Sequence, residues 1–316
     1  MVPVFIGGHP RSGTTLLGAM LGAHRECICT PESPFKARVF RNLRKGGINT
    51  IDIQTAFEMI RNSWRFKLWG LPIQPVPYDE ISSYQELILW LVKSYAKKTG
   101  KPESTFWIDH TPANIEHADT LIKLFPDSRL LHIIRDGRAV AASIMHLDWG
   151  ANTIDRAAHS WVRKVSHYVG VESSLGAERI MQIKFEELIQ EPESTLKNIC
   201  RFINIDFQSH MVTGSGFKVP KYTVQQHSLL GKKLDVKRVS AWEKDLTPRQ
   251  IEIFESIAGG LLQSFGYPLK YGLNARGMTV TEKIVSGARE VYMRKVVNKF
   301  RRRKRKSKGI TTAPKN

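Results

Sequence analysis

Cysteine is scarce in this sequence of 316 residues, which contains only Cys27, Cys29 and Cys200. Three cysteines do not make a disulfide framework, so a reducing compartment is the simplest interpretation. No second cysteine pair follows Cys27 and Cys29, and His24 is a weak third ligand. The sequence therefore predicts buried free thiols and no metal site.

Long apolar runs are also missing. No stretch of 18 apolar residues occurs, so we expect no transmembrane helix. A signal-peptide pattern is absent as well, because the apolar run at residues 2–6 is too short and leads directly into glycines. We therefore expect a cytoplasmic protein, and any membrane contact would be peripheral.

Acidic residues are few, with 29 Asp and Glu against 48 Lys and Arg, for a net charge of +19. The segment Tyr271–Asn316 holds 14 basic and 2 acidic residues, so it carries +12 and leaves +7 for the rest. A capping box at Thr247 opens the last large helix before this segment, and Gly266 ends it. We predict a domain over residues 1–270 that handles anions, followed by a basic tail over 271–316.

Short apolar runs alternate with helical patterns along the chain. Residues 2–6, 129–134 and 179–184 each favour a buried strand, and each is followed by a segment with helical periodicity. Alternating strands and helices are typical of a parallel sheet that is covered on both faces. The sequence therefore predicts an α/β fold with three α/β/α layers and a central parallel sheet.

A glycine-rich loop, Gly8-His-Pro-Arg-Ser-Gly-Thr-Thr15, joins the first strand to the first helix. In that position successive N–H groups and the helix N-terminus favour a bound anion. The P-loop of nucleotidases has Lys where this chain has Thr14, which argues against the alternative of a P-loop kinase or NTPase. Arg11 lies inside the loop and supplies positive charge instead.

A second candidate anchor follows the strand at 129–134. Arg135 begins the run Arg-Asp-Gly-Arg, and Ser143 comes eight residues later on the following helix. Arg135 would lie at the carboxyl edge of the sheet, where open α/β folds bind ligands, and its planar guanidinium suits phosphate oxygens. Asp136 and Arg138 belong either to this site or to a simple surface turn.

With these two motifs the sequence resembles the sulfotransferases that use 3′-phosphoadenosine 5′-phosphosulfate (PAPS), over roughly residues 2–268. The closest branch contains the tyrosylprotein sulfotransferases and many bacterial sulfotransferases. The resemblance implies transfer of a sulfuryl group from PAPS to a hydroxyl, without a metal. The alternative on the same scaffold is a non-catalytic polyanion-binding protein, which would bind adenosine 3′,5′-bisphosphate without turnover. The residues it places around the nucleotide are Arg11, Ser12, Gly13, Thr14 and Thr15 at the 5′-phosphosulfate, Arg135 and Ser143 at the 3′-phosphate, and Ser240 in a closing Ser-x-Trp segment.

Glu32 lies 21 residues after Arg11, which is the spacing of the catalytic Glu in tyrosylprotein sulfotransferases. We predict that it acts as general base. The alternative is a loop carboxylate that is paired with Lys36 or Arg38.

His110 stands where the family often has a Lys that acts on the leaving group. A protonated His110 beside Asp109 could replace that Lys, because a neighbouring carboxylate raises the pKa of a histidine. The two alternatives are that His110 is itself the base, and that its role is structural.

Residues 279–300 have the period of a modest amphipathic helix, with Ile284, Val291 and Phe300 among the apolar positions, and the basic run 301–306 follows. This composition favours either attachment to an anionic membrane or a solvated disordered tail, and nucleic-acid binding is less favoured.

The acceptor and the oligomeric state are not indicated by the sequence. A glycan or another surface-bound hydroxyl is mildly preferred, by analogy with the family and because of the basic tail. Residues 61–80, with Trp64 and Trp69, form either an acceptor-facing region or an irregular segment whose aromatic side chains pack on the domain.

Overall fold

A parallel five-stranded sheet forms the centre of the protein. The structure is a computed structural model that describes residues 1–43, 51–72, 75–219 and 234–307. Within these residues the strand order is β2-β3-β1-β4-β5, and every neighbouring pair is parallel. The strands are β1 (Val2–Gly7), β2 (Cys27–Thr30), β3 (Phe106–Asp109), β4 (Arg129–Ile134) and β5 (Ile180–Lys184).

The sheet is covered on both faces, since side chains along a strand point alternately to opposite sides. Phe5 and Trp107 belong to the hydrophobic cluster on one face, whereas Val4, Ile6 and Ile108 belong to the cluster on the other. All five side chains are fully buried. The predicted α/β fold with three layers and a central parallel sheet is therefore confirmed.

Helices follow the strands in chain order and make up the two outer layers. In the first half of the chain they are α1 (Thr14–Ala23), α2 (Phe35–Leu43), α3 (Ile53–Arg61), α4 (Trp64–Lys67), α5 (Tyr84–Lys98), a 3-10 helix (Pro112–His117) and α6 (Ala118–Leu124). In the second half they are α7 (Gly137–Ile144), α8 (Ile154–Leu175), α9 (Phe185–Gln190), α10 (Pro192–Ile203), α11 (Trp242–Asp245) and α12 (Pro248–Ser264).

The predicted end of the first domain has the expected capping chemistry. The Thr247 side chain accepts a hydrogen bond from the backbone N–H of Gln250, whose side chain bonds back to Thr247, so the capping box is present. Gly266, with φ of 73°, follows the helix in the left-handed conformation that glycine adopts without strain. The three cysteines are free and buried, as predicted.

The chain continues as a helix beyond residue 270. It comprises α13 (Val280–Tyr292), one π-helical segment (Met293–Val297) and α14 (Asn298–Ser307). The amphipathic helix that the sequence predicted is therefore present, and the basic run extends it instead of following it as a disordered tail. Among the described residues, no helix combines the length and apolar character needed to cross a bilayer. The domain boundary at residue 270 stays a prediction.

Candidate active site

The predicted site residues converge at the carboxyl edge of the sheet. The glycine-rich loop follows β1, and Glu32, His110 and Arg135 follow β2, β3 and β4. Because β1 has β3 on one side and β4 on the other, the connections leave in opposite directions and open a crevice there. That crevice is where an open α/β sheet binds its ligand.

The loop after β1 is tightly constrained by its surroundings. A Cβ at Gly8 would lie 2.3 Å from the backbone oxygen of Ile133, and a Cβ at Gly13 would lie 2.5 Å from the ring of Phe185. Gly13 has a φ of 103°, and Arg11 has a φ of 78°, which is rare for a residue with a side chain. These close approaches fix the conformation of the loop, and backbone strain of this kind is common at functional sites.

The two predicted anchors touch each other. The Arg11 Nε donates to the Ser143 hydroxyl at 3.0 Å, and an Arg135 Nη donates to the Arg11 carbonyl at 3.0 Å. Burial, together with the positive charge of Arg135, lowers the pKa of Arg11 to about 10. Burial also lowers the pKa of Arg135. Two arginines this close, in a partly buried crevice, form a site that favours an anion.

The polar groups around the crevice fit a ligand with several anionic oxygens. Ser12, Thr14 and Thr15 are buried. Among the residues that the structure describes, neither the Ser12 hydroxyl nor the Arg135 Nε has a hydrogen-bond partner. Buried polar groups are normally satisfied, so these two donors are suited to a phosphate or a sulfate.

Arg135 and Arg138, which are three residues apart, have different surroundings. The Arg135 guanidinium stacks 4.4 Å from the centre of the Phe185 ring. Arg138 instead points into the protein, where it is buried and pairs with Asp136 at 2.7 Å and Glu255 at 2.6 Å. Arg138 therefore has a structural role. Its ion pairs are buried, whereas the sequence suggested a turn at the surface.

Glu32 lies at the edge of the crevice and is half-buried. Its carboxylate accepts from an Arg65 Nη at 3.0 Å. The sequence alternative named Lys36 and Arg38 as partners, and the structure places neither of them in that pair. Arg65 comes from α4, so part of the 61–80 region borders Glu32. Trp69 in the same region is buried in the core and packs against aromatic rings.

A buried charge pair beneath Glu32 was missed in the sequence. Lys36 is 1% exposed, and its Nζ donates to Asp109 at 3.0 Å and to Asn114 at 2.7 Å. Asp109 also accepts from the Ser33 hydroxyl, and the Thr111 hydroxyl accepts from the Ser33 N–H at 2.8 Å. The network ties the segment after β2 to the segment after β3, and so it positions Glu32.

The pKa of Asp109 reflects this network. Burial alone would raise it, but the charge of Lys36 and the hydrogen bonds from Ser33 and Thr111 outweigh burial and lower the pKa to about 2. The sequence offered only a partial signal, since Asp109 was noted as the neighbour of His110 and Lys36 as a possible partner of Glu32. Their pairing across 73 residues was not readable from spacing.

The surroundings of His110 contradict the expectation that this histidine is protonated. The predicted protonated form required a raised pKa, whereas burial lowers the pKa of His110 more than the charges of Glu32 and Asp109 raise it. Its ring packs 4.8 Å from the centre of the Phe217 ring. Within the described part of the chain neither ring nitrogen has a hydrogen-bond partner. The side chain is therefore neutral near pH 7, and its role as base stays a prediction.

Ser240 is exposed and lies two residues before α11, and its carbonyl accepts from the Glu243 N–H at 3.1 Å. The positive charge of the neighbouring Arg238 contributes to lowering the pKa of Arg135, so this segment lies near the second anchor. The closing role of Ser240 over the nucleotide stays a prediction.

His9, inside the glycine-rich loop, is a further buried histidine. Its Nδ1 donates to the Pro10 carbonyl at 2.8 Å, which leaves Nε2 to accept from the Ser160 hydroxyl at 3.2 Å. A protonated ring would lose the second bond. Burial lowers the pKa of His9 to about 4.

We expect His9→Gln to weaken the acid sensitivity of the fold. The pKa of His9 falls from 6.5 to about 4 on folding, so this histidine favours the folded state most above pH 6.5. As the pH falls to 4, the free energy of unfolding decreases by up to about 3 kcal/mol. Urea unfolding at several pH values measures this slope. His159→Gln, at an exposed histidine on α8, is the control and should keep the wild-type slope. Equal slopes in all three proteins would contradict the assignment.

The fold and the site together define a class: an α/β protein with a phosphate-type loop and an arginine-lined anion crevice. Comparison with protein families matches residues 3–209 to the family described as "Sulfotransferase family". The chain therefore belongs to the sulfotransferase family, the PAPS-dependent family that its motifs predicted.

Individual relatives agree with this assignment. A protein-tyrosine sulfotransferase of Drosophila melanogaster is 24% identical over 276 residues, which is 84% of this chain and 51% of that protein. This chain thus spans about half the length of that relative. Two solved sulfotransferase domains share the fold, each with a TM-score of 0.57. One, from the Curacin biosynthetic pathway, is 18% identical and covers 84% of this chain and 98% of its own. The other, from the Synechococcus PCC 7002 olefin synthase, is 22% identical and covers 85% and 95%.

Proposed function

We propose that this protein transfers the sulfuryl group of PAPS to a hydroxyl group of an acceptor. The observation that carries the proposal is the contact between the two anchors, in which Arg11 bonds to Ser143 and Arg135 bonds to the Arg11 carbonyl. A nucleotide with phosphates on both its 3′ and 5′ positions needs two adjacent cationic pockets. The phosphate loop would hold the 5′-phosphosulfate, and Arg135 with Ser143 would hold the 3′-phosphate.

In the proposed reaction the acceptor oxygen attacks sulfur, and the bond between sulfur and the 5′-phosphate oxygen breaks. Glu32 takes the proton of the hydroxyl, and adenosine 3′,5′-bisphosphate leaves with the electron pair of the broken bond. Arg11 and the loop N–H groups stabilise the charge that develops on the phosphate. Preorganised donors of this kind are each worth about 3–4 kcal/mol in transition-state stabilisation. The reaction resembles phosphoryl transfer, in which positioning and electrostatics dominate.

Glu32 is suited to the role of base by its surroundings. Its carboxylate is held by an ion pair with Arg65 at 3.0 Å. The segment that carries it is anchored by the buried Lys36 and Asp109 pair. A base that is held this firmly keeps its distance to the acceptor hydroxyl constant, as proton transfer requires.

For the acceptor we propose a tyrosine hydroxyl in a protein as the first candidate. The support is the group of curated relatives that are named protein-tyrosine sulfotransferases. The glycan that the sequence mildly favoured has no comparable support. Incubation with radiolabelled PAPS and tyrosine peptides, glycans or lipids in parallel, with the product mass read out, tests the acceptor class. Label in glycan alone would overturn the tyrosine proposal.

Arg135→Gln should weaken binding of adenosine 3′,5′-bisphosphate by about 10- to 100-fold, because a hydrogen bond to a charged group contributes about 1.5–3 kcal/mol. Binding of adenosine 5′-monophosphate, which lacks the 3′-phosphate, should change little. Isothermal titration of both ligands measures the difference.

Arg129→Gln is the matched control for this titration. Arg129 begins the same strand, β4, at the opposite edge of the sheet. It should leave both affinities unchanged. An equal loss for the two ligands in Arg135→Gln would remove Arg135 from the 3′-phosphate pocket.

A further inference from the structure

The helix over residues 280–307, here called the C-terminal helix, packs on the body through its polar side. The contacts are the Arg249–Glu282 ion pair at 2.8 Å, the Ser286–Asp155 hydrogen bond at 2.6 Å, the bonds of Glu290 and Asn298 with Asn152 at 2.9 and 3.0 Å, and the Arg305–Asp148 ion pair at 2.5 Å. A surface helix normally turns its apolar stripe toward the core. This helix does the reverse.

The opposite side of the C-terminal helix presents its large apolar side chains to solvent. Among the described residues, seven of the eleven exposed large hydrophobic side chains lie on this one helix, from 45% to 73% exposed. They are Val280, Ile284, Val285, Val291, Tyr292, Val296 and Phe300. An exposed apolar patch of this kind marks a surface that contacts something else.

The π-helical segment Met293–Val297 preserves the polar contact surface along the whole helix. Glu290 and Asn298, which both bond to Asn152, are eight residues apart, and two turns of an α-helix take about 7.2 residues. The wider π turn accommodates the excess. Asn298 and Arg305 therefore face the body, and the apolar side chains stay outside on both sides of the π segment.

The charge of the C-terminal helix is one-sided as well. Residues 280–307 contain eleven Lys and Arg and two Glu, Glu282 and Glu290. Both glutamates bond to the body. Among the described side chains, the charged groups that remain toward solvent beside the apolar side chains are therefore cations, such as the exposed Lys283, Arg294 and Lys299.

We propose that the C-terminal helix is a docking surface for a lipid bilayer that contains anionic lipids. The apolar side chains would enter the boundary between headgroups and acyl chains, and the flanking cations would bind the anionic headgroups. A second copy of this chain would bring like charges together. A nucleic acid would bind the cations and leave the apolar side chains exposed.

The docking surface borders the candidate active site. Arg301 donates to the carbonyl of His146, which lies three residues after Ser143, at 3.4 Å. The same loop carries Trp149, which is 46% exposed and follows the Asp148 that pairs with Arg305. Bilayer attachment would therefore bring one rim of the crevice close to the lipid surface.

Sedimentation of the full chain with vesicles tests the proposal. Vesicles of phosphatidylcholine with phosphatidylserine should carry the protein down, and phosphatidylcholine alone should not, with binding reduced by salt. The double variant Ile284→Lys with Phe300→Lys should lower binding by tenfold or more, although it gains two positive charges, because it removes apolar burial. Tyr78→Lys, at an exposed aromatic side chain on the body, should change little.

The two lysines added in the double variant distinguish attachment through apolar side chains from attachment through charge alone. Stronger vesicle binding by the double variant would mean that charge alone drives attachment, and would overturn the proposal. So would tighter binding of wild type to duplex DNA than to the mixed vesicles, or a wild-type dimer in sedimentation velocity that the double variant loses. Both variants should keep wild-type affinity for adenosine 3′,5′-bisphosphate. This docking proposal does not depend on the proposed transfer reaction.

Discussion

Glu32→Gln should lower turnover by about 10² to 10⁴-fold, which is the usual contribution of a general base. Gln has nearly the size of Glu and keeps an oxygen for Arg65, but it cannot take the proton of the acceptor hydroxyl. In the proposed reaction the loop and Arg135 bind the nucleotide, so affinity for adenosine 3′,5′-bisphosphate should change little. Initial rates with labelled PAPS, with titration of the bisphosphate, measure both quantities.

Glu26→Gln provides the matched control for this experiment. Glu26 directly precedes β2, at the opposite end of the strand that Glu32 follows, and it pairs with Arg25 at 3.4 Å. That exchange should leave turnover unchanged. If Glu32→Gln keeps wild-type turnover, Glu32 is not the base, and neutral His110 becomes the next residue to replace.

Lys36→Met should destabilise the fold by about 3–5 kcal/mol, because it leaves the fully buried carboxylate of Asp109 without its counter-charge. Denaturant unfolding near pH 7 measures the loss. The loss should shrink as the pH falls. In wild type the ionised Asp109, with a pKa of about 2, stabilises the fold above the pKa that it has in the unfolded chain, and this stabilisation declines toward pH 2. In the variant Asp109 can take up a proton as the pH falls, which removes its uncompensated charge.

Two further proteins separate charge from packing in this experiment. The double variant Lys36→Met with Asp109→Asn removes both charges and should lose less stability than Lys36→Met alone. Lys197→Met removes an exposed partner of Glu193 and should cost about 0.5 kcal/mol or less. A loss in Lys36→Met as small as that of Lys197→Met would mean that the buried pair does not stabilise the fold.

These results would also bear on how the site is held together. The Lys36 pair connects the segment after β2 with the segment after β3, and Glu32 and His110 belong to those two segments. We therefore expect that any Lys36→Met protein that remains folded loses turnover as well, with a smaller effect on nucleotide affinity. The effect on affinity should be smaller because Arg11 and Arg135 lie in the segments after β1 and β4, although Asn114 of the network also donates to the Ile6 carbonyl of β1 at 2.9 Å.

Local patterns predicted the parts of this protein that depend on neighbours in sequence. The strand, glycine loop and helix at residues 2–23 were readable because apolar runs, glycines and helix starts are local signals. Arg11 and Arg135 were recognisable because each follows an apolar strand within a few residues. The capping box at Thr247 was readable for the same reason.

Pairings across long separations were beyond those patterns. The sequence named Lys36 as a partner of Glu32, but Lys36 reaches Asp109, and Arg65 takes its place. The expected rise in the pKa of His110 was wrong because burial decides it, and burial depends on Phe217 and α1, far away in the chain. Side-chain partners are chosen by the packing of the layers, which spacing does not encode.

The C-terminal helix shows most clearly what the sequence determines and what only the tertiary structure determines. Its apolar period and its excess of Lys and Arg determine by themselves that it is a cationic amphipathic helix. Only the tertiary structure decides that its polar side meets the body and its apolar side meets solvent, because that choice depends on Asp155, Asn152 and Asp148, more than 100 residues earlier. The hydrophobic period predicts that a helix has one apolar and one polar face. Which of the two faces is buried depends on the side chains that the folded body offers as partners.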